Sequence, residues 1–165
     1  MERLWAPWRM SYVGAADRTD GCLFCDALAS SDDRKVLVLL RRPLAFLILN
    51  AFPYASGHLM AALTRHVGTV GEATPAELGL TMALVQTALR ALDRAYRPDG
   101  YNVGINQGRV AGAGVEGHLH IHVVPRWNGD TNFMPVFGEV RVLPESLDAT
   151  YDRLSAALAS DEHHG

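Results

Sequence analysis

Three histidines alternate with apolar residues in His118-Leu119-His120-Ile121-His122, and alternation is the period of a β-strand. On a strand the three imidazoles share one surface, while Leu119, Ile121 and Val123 turn to the other, toward the core. Successive histidines then stand ~7 Å apart and the outer pair ~13 Å, too far for all three to ligate one metal ion. They must divide the labour. Imidazole near neutral pH serves as base, nucleophile, donor to an anion or metal ligand.

Two loops and a cysteine pair extend this chemistry. Asn106-Gln107-Gly108, followed by Ala111-Gly112-Ala113-Gly114, lets backbone N–H groups come close to an anion, because glycine adds no Cβ. Beside three histidines that segment is a candidate phosphate cradle. The turn-rich stretch from Asn50 to His58 is flanked by apolar Phe46, Ile48 and Met60. It could hold a nucleoside, with Asn50 toward the sugar hydroxyls and the apolar residues around the base. The chain's two cysteines, Cys22 and Cys25, are spaced C-x-x-C, which in a reducing compartment is more often metal-binding or redox-active than a structural disulfide. No βαβ pattern accompanies them, which counts against a thioredoxin-like role.

The elements that must position these residues can be read from periodicity. Val36–Leu40 and Leu44–Leu49 are short β-rich runs separated by Arg41-Arg42-Pro43, and further strands are expected over His58–Thr64, Tyr101–Asn106 and Leu119–Val124. Thr74-Pro75-Ala76-Glu77 combines an N-cap threonine, proline at the first helical position and a capping-box glutamate. Leu78, Met82, Val85, Leu89, Leu92 and Tyr96 then define one helical face until Pro98-Asp99-Gly100 stops it. A last helix is expected over Leu147–Leu158, with Leu147, Tyr151, Leu154 and Leu158 on one side. Clustered strands with one long helix inserted and another at the end predict an α+β fold, an antiparallel sheet with helices packed on it. Residues 1–20 read as an N-terminal arm, 21–160 as a single domain and 161–165 as a flexible tail.

Composition narrows the function. With 165 residues, 48% hydrophobic and 20% charged, one conventional core can be filled. A net charge of −3 argues against a broad grip on nucleic acid or anionic lipid, and favours a small ligand. No apolar stretch approaches the ~20 unbroken residues of a membrane span, and the N-terminus lacks the pattern of a secretory signal. A cytoplasmic protein is expected.

The pattern His-φ-His-φ-His-φ-φ, with Asn50 eight residues before His58, resembles the histidine triad (HIT) superfamily over roughly Cys22 to Trp127. Leu4-Trp5-Ala6-Pro7-Trp8-Arg9, Val124-Pro125-Arg126-Trp127 and Gly129–Pro135 are similar to its bacterial dinucleoside-tetraphosphate phosphorylase-like branch. The resemblance implies a HIT-like α+β fold, usually a homodimer with a tetramer possible, that binds a purine nucleotide or dinucleoside polyphosphate and cleaves at the α-phosphate. By motif position it implies His120 as nucleophile, His122 and His58 as phosphate contacts, and His118 as orienting the nucleophile through its carbonyl. It also implies a structural zinc on Cys22, Cys25, His66 and His118, with no organic cofactor. Many family members carry a glutamine and a hydroxyl residue just before the triad, where this chain has Gly114 and Val115; backbone amides or Arg109 could substitute. The loop before His118 is one residue longer than usual, so both Asn106 and Gln107 are candidates for the phosphates. The leading reading is diadenosine tetraphosphate cleavage through a nucleotidyl-histidine, with phosphorolysis slightly favoured over hydrolysis. The alternatives are a purine nucleoside phosphoramidase and a nucleotide-binding protein without useful turnover.

Overall fold

A computed structural model describes residues 21–130 and 145–162, with side chains through residue 160. The expected arm, the tail beyond Glu162 and part of the Gly129–Pro135 segment lie outside these residues. Helices α1 (Leu23–Ala29), α2 (Pro75–Tyr96) and α3 (Leu147–Glu162) accompany strands β1 (Val38–Arg41), β2 (Ala45–Leu49), β3 (Leu59–Leu63), β4 (Gly100–Gly104) and β5 (His120–Arg126). The sheet runs β1-β2-β3-β5-β4 with every neighbouring pair antiparallel. This is the expected α+β fold, with α3 continuing to Glu162.

Each sheet face has its own apolar cluster. Leu47, Leu49, Ala61, Ile121 and Val123 pack against α2 and α3, meeting Leu84, Ala88, Leu92, Leu154 and Leu158. The opposite face carries Phe46, Ile48, Met60 and Ala62, covered in part by Phe24 and Ala27 of α1. Strand alternation thus sends Leu119, Ile121 and Val123 to the buried side opposite the histidines, as expected.

Three local features differ from expectation. Helix α2 starts at the anticipated capping box, with Thr74 Oγ1 accepting from Glu77 N–H and the Glu77 carboxylate accepting from Thr74 N–H. Its buried face is rotated, however: Met82 is exposed, while Leu84, Ala88 and Ala91 are buried, because alanines let the helix sit close to the sheet. Strand β1 begins at Val38, since Leu37 takes a left-handed φ of 63° and breaks the extended run. Helix α1 was not anticipated. It has no side-chain N-cap, and it is fastened at its other end by Arg41, whose guanidinium donates to the carbonyls of Ala27, Leu28 and Ser30 while also pairing with Asp33.

Candidate active site

Strand β5 and the residues just before it place the three histidines on the α1 side of the sheet, and each ring has a different neighbour. His120, 5% exposed, donates from Nδ1–H to the main-chain carbonyl of His118 at 2.7 Å. A neutral imidazole whose proton is committed at Nδ1 keeps its lone pair on Nε2. Burial lowers the ring's pKa from its ordinary 6.5; the carbonyl bond opposes that and His118 adds to it. His120 is therefore neutral at pH 7, with its lone pair on Nε2.

The turn between β2 and β3 decides the tautomer of His122. Tyr54 N–H donates to His58 Nδ1 at 3.1 Å, so the His58 proton sits on Nε2. That Nε2 lies 3.0 Å from His122 Nδ1, which must accept, and the His122 proton is thereby placed on Nε2. Burial, followed by the proximity of His120, lowers the His122 pKa to about 4, so it acts as a neutral donor. Asn50 is 5% exposed and its Oδ1 accepts from Phe52 N–H at 2.9 Å. Its Nδ2 faces His58 Nε2 at 3.4 Å, donor against donor, so this contact is no hydrogen bond and the amide hydrogens remain for another acceptor. The turn is fitted to α2 through Gly57, whose φ of 81° and proximity to Leu92 and Tyr96 leave no room for a Cβ.

His118 is wholly buried and turned away from the other two. Its Nε2–H donates to the Leu63 carbonyl at 2.7 Å, leaving Nδ1 to face Cys22 Sγ at 3.3 Å and Cys25 Sγ at 3.6 Å. His66 Nδ1 lies 3.3 Å from Cys25 Sγ, and all four donor atoms fall within 4.8 Å of one another. A tetrahedral zinc with arms of ~2.1 Å to nitrogen and ~2.3 Å to sulfur has edges of ~3.4–3.8 Å, close to these separations. The carbonyl bond at Nε2 fixes the ligating tautomer of His118, as metal-bound histidines generally require. Burial and the neighbouring Cys22 push the Cys25 thiol up, so a cation is what would hold both sulfurs as thiolates. The residues fit a closed, structural zinc site.

The remaining expected site residues divide. Gln107 is engaged elsewhere, its Oε1 accepting from Val70 N–H at 2.9 Å, whereas Asn106 Nδ2 makes only a long 3.5 Å approach to the Gly112 carbonyl. Gly114 is half-buried, and Arg109 stands 3.8 Å from Glu116. Phe46, Ile48 and Met60 are buried at 0%, 2% and 6% exposure, packed beneath Phe24 instead of forming an open wall. Sequence reasoning passed over Phe24 itself. It sits 4.8 Å from the His120 ring and 5.0 Å from His118, centroid to centroid, on the helix that carries Cys25 and is capped by Cys22. Its place inside Cys22-Leu23-Phe24-Cys25 was the available signal.

Comparison with known proteins agrees with this geometry. The profile of the family described as HIT domain matches residues 32–129. The chain belongs to the HIT domain family. The protein is similar to the AP-4-A phosphorylase of Mycobacterium tuberculosis, at 38% identity covering 96% of this chain and 85% of the relative. It is also 29% identical to the asymmetrical bis(5'-nucleosyl)-tetraphosphatase of Schizosaccharomyces pombe, over 76% of this chain and 69% of that protein. A Zn-bound histidine triad family protein from Mycobacterium smegmatis superposes with a TM-score of 0.71 at 25% identity, covering 88% of this chain and 98% of that one. This HIT protein is thus related to enzymes that process dinucleotides. Among its described residues no helix is long and apolar enough to cross a membrane.

Proposed function

We propose that this HIT protein transfers the adenylyl group of a diadenosine polyphosphate to an acceptor through a covalent adduct on His120. The observation that carries the reading is the 2.7 Å bond from His120 Nδ1–H to the His118 carbonyl, which points the proton away from the reacting nitrogen. Nε2 attacks the α-phosphorus, the N–P bond forms, and the bridging P–O bond breaks with its electron pair leaving on the remaining polyphosphate nucleotide. The carbonyl of His118 steadies the positive charge that the ring acquires. Inorganic phosphate or water then attacks phosphorus, the N–P bond breaks, and His120 regains its lone pair. For diadenosine tetraphosphate the first step releases ATP; the second yields ADP with phosphate or AMP with water.

His122 Nε2–H is the donor suited to charge developing on the transferred phosphoryl oxygens. His58 acts on it from behind by fixing its tautomer. Asn50 is assigned to the ribose and Asn106, less committed than Gln107, to the phosphates. Zinc on Cys22, Cys25, His66 and His118 would supply a structural cross-link joining α1, the segment after β3 and the start of the triad. A homodimer is the expected assembly, and β4 stands at an edge of the sheet where a second copy could pack.

Phosphate is the favoured acceptor, supported by the similarity to the phosphorylase of M. tuberculosis. Incubation with diadenosine tetraphosphate should give ATP and ADP with phosphate present, and far slower AMP formation without it. Turnover to AMP at equal rate in both would assign water, and no nucleotide product in either would defeat the reading on this substrate. A purine nucleoside phosphoramidase would use the same His120 adduct, and competition between an AMP-amidate and the dinucleotide ranks the two.

A further inference from the structure

Phe24 is 1% exposed and stands on α1 between Cys22 and Cys25. Its centroid lies 4.8 Å from the His120 ring at an interplanar angle of 38°, and 5.0 Å from the His118 ring at 43°. Both imidazoles are nearer to facing it than to standing perpendicular. Phe46, itself sealed, meets Phe24 at 6.3 Å in a T-shaped contact of 70°, which pins the plane of the Phe24 ring. Around these two rings the cluster is aliphatic, with Val38, Ile48, Met60 and Ala62. Leucine would fill such a space about as well, so an aromatic ring against His120 supplies something besides volume.

That something is a charged neighbour's due. When His120 Nε2 forms the N–P bond, the bridging P–O pair leaves on ATP, and the imidazole, still holding its Nδ1 proton, becomes a cation. The ring is 5% exposed, so water does not solvate this charge. The His118 carbonyl meets it in the ring plane, at Nδ1. Phe24 meets it from the face. The negative face of a benzene ring attracts a cation within about 6 Å of its centroid, most strongly where water is excluded. We propose that Phe24 is a positioning residue for the transfer, its ring lying against His120 to hold the imidazole plane and to steady the charge it carries while the adenylyl group is bound. The inference rests on the transferase reading above and adds to it a residue that acts through His120.

Replacing Phe24 by phenylalanine analogues with one, two and three ring fluorines tests it, because fluorination nearly preserves the shape of the ring while draining its negative face. Rapid quenching with diadenosine tetraphosphate reads the rate of adduct formation on His120, and elemental analysis and the melting temperature read the metal site and the core. The rate should fall with each added fluorine, to ~10-fold lower at three, with KM within about twofold and with metal content and melting temperature unchanged. Phe24→Leu, which keeps apolar volume and removes the π-face, should lose at least as much; if it does not fold, the fluorinated series decides alone. A rate that stays level across that series, or that falls only in step with metal content or melting temperature, assigns Phe24 to packing and overturns the inference while leaving the transferase reading intact. If the unaltered protein forms no adduct on His120, the transferase reading itself fails and takes the inference with it.

Discussion

His120 hangs by its Nδ1–H on the main-chain carbonyl of His118, whose own ring points back into the cysteine pair. One residue thus serves two sites, its backbone orienting the candidate nucleophile and its side chain closing the candidate metal centre. The alternating strand makes this possible. Positions 118 and 120 share a face, yet their rings need not share a ligand.

The shared residue separates the two roles experimentally. Cys22→Ser should release the metal, read by elemental analysis, and lower the melting temperature on the order of 10 °C, the consequence of losing several kcal/mol of metal-linked folding energy. The chemical step, measured at a temperature where the variant is folded, should fall by less than in His120→Ala. A Cys22→Ser protein that keeps both its metal and its melting temperature would contradict the structural assignment.

The pKa of His122 near 4 fixes a sign for pH dependence. Between about 4 and the ordinary 6.5 the unfolded chain binds a proton at this residue that the folded protein does not, so stability rises with pH across that window. The contribution is full above 6.5 and is lost as pH falls toward 4. Urea denaturation midpoints followed from pH 7 to pH 4 should decline more steeply in the natural protein than in His122→Gln. Parallel curves would show that His122 is not held neutral by the fold. Activity should likewise pass pH 6.5 without a break, because His120 is also shifted below that value.

Two glycines predict opposite outcomes. At Gly57 the φ of 81° and a Cβ that would stand 2.9 Å from Leu92 Cδ2 make Gly57→Ala destabilising by about 1–3 kcal/mol. Gly79 sits exposed within α2 with nothing near its missing Cβ, so Gly79→Ala should stabilise by up to ~1 kcal/mol. Denaturant titration of the pair checks the signs directly. Gly57→Ala should in addition raise KM, since His58 follows it in the turn.

Much of this arrangement is legible in the residues themselves. The capping box at Thr74 and the alternation at 118–123 are local signals, and they locate α2 and β5 because the physics that produces those elements is local too. Helix α1 is different. Seven residues without a side-chain N-cap are marginal alone, and the helix is held by the distant guanidinium of Arg41 and by burial of Phe24. The metal set is similarly nonlocal, drawn from α1, the segment after β3 and the start of the triad, so C-x-x-C alone shows half of it. The contact of His58 with His122, the commitment of Gln107 to Val70 and the exposure of Phe52 and Tyr54 all depend on how the turns pack, which periodicity does not encode.

The most direct test of the account is to catch the covalent adduct. Protein mixed with excess diadenosine tetraphosphate in the absence of inorganic phosphate, quenched in alkaline denaturant to preserve the acid-labile N–P bond, and mapped by mass spectrometry should carry one adenylyl group on His120. The His120→Ala protein should carry none and should lose turnover by several orders of magnitude. An adenylyl group found on another residue, or full turnover by His120→Ala, would contradict it.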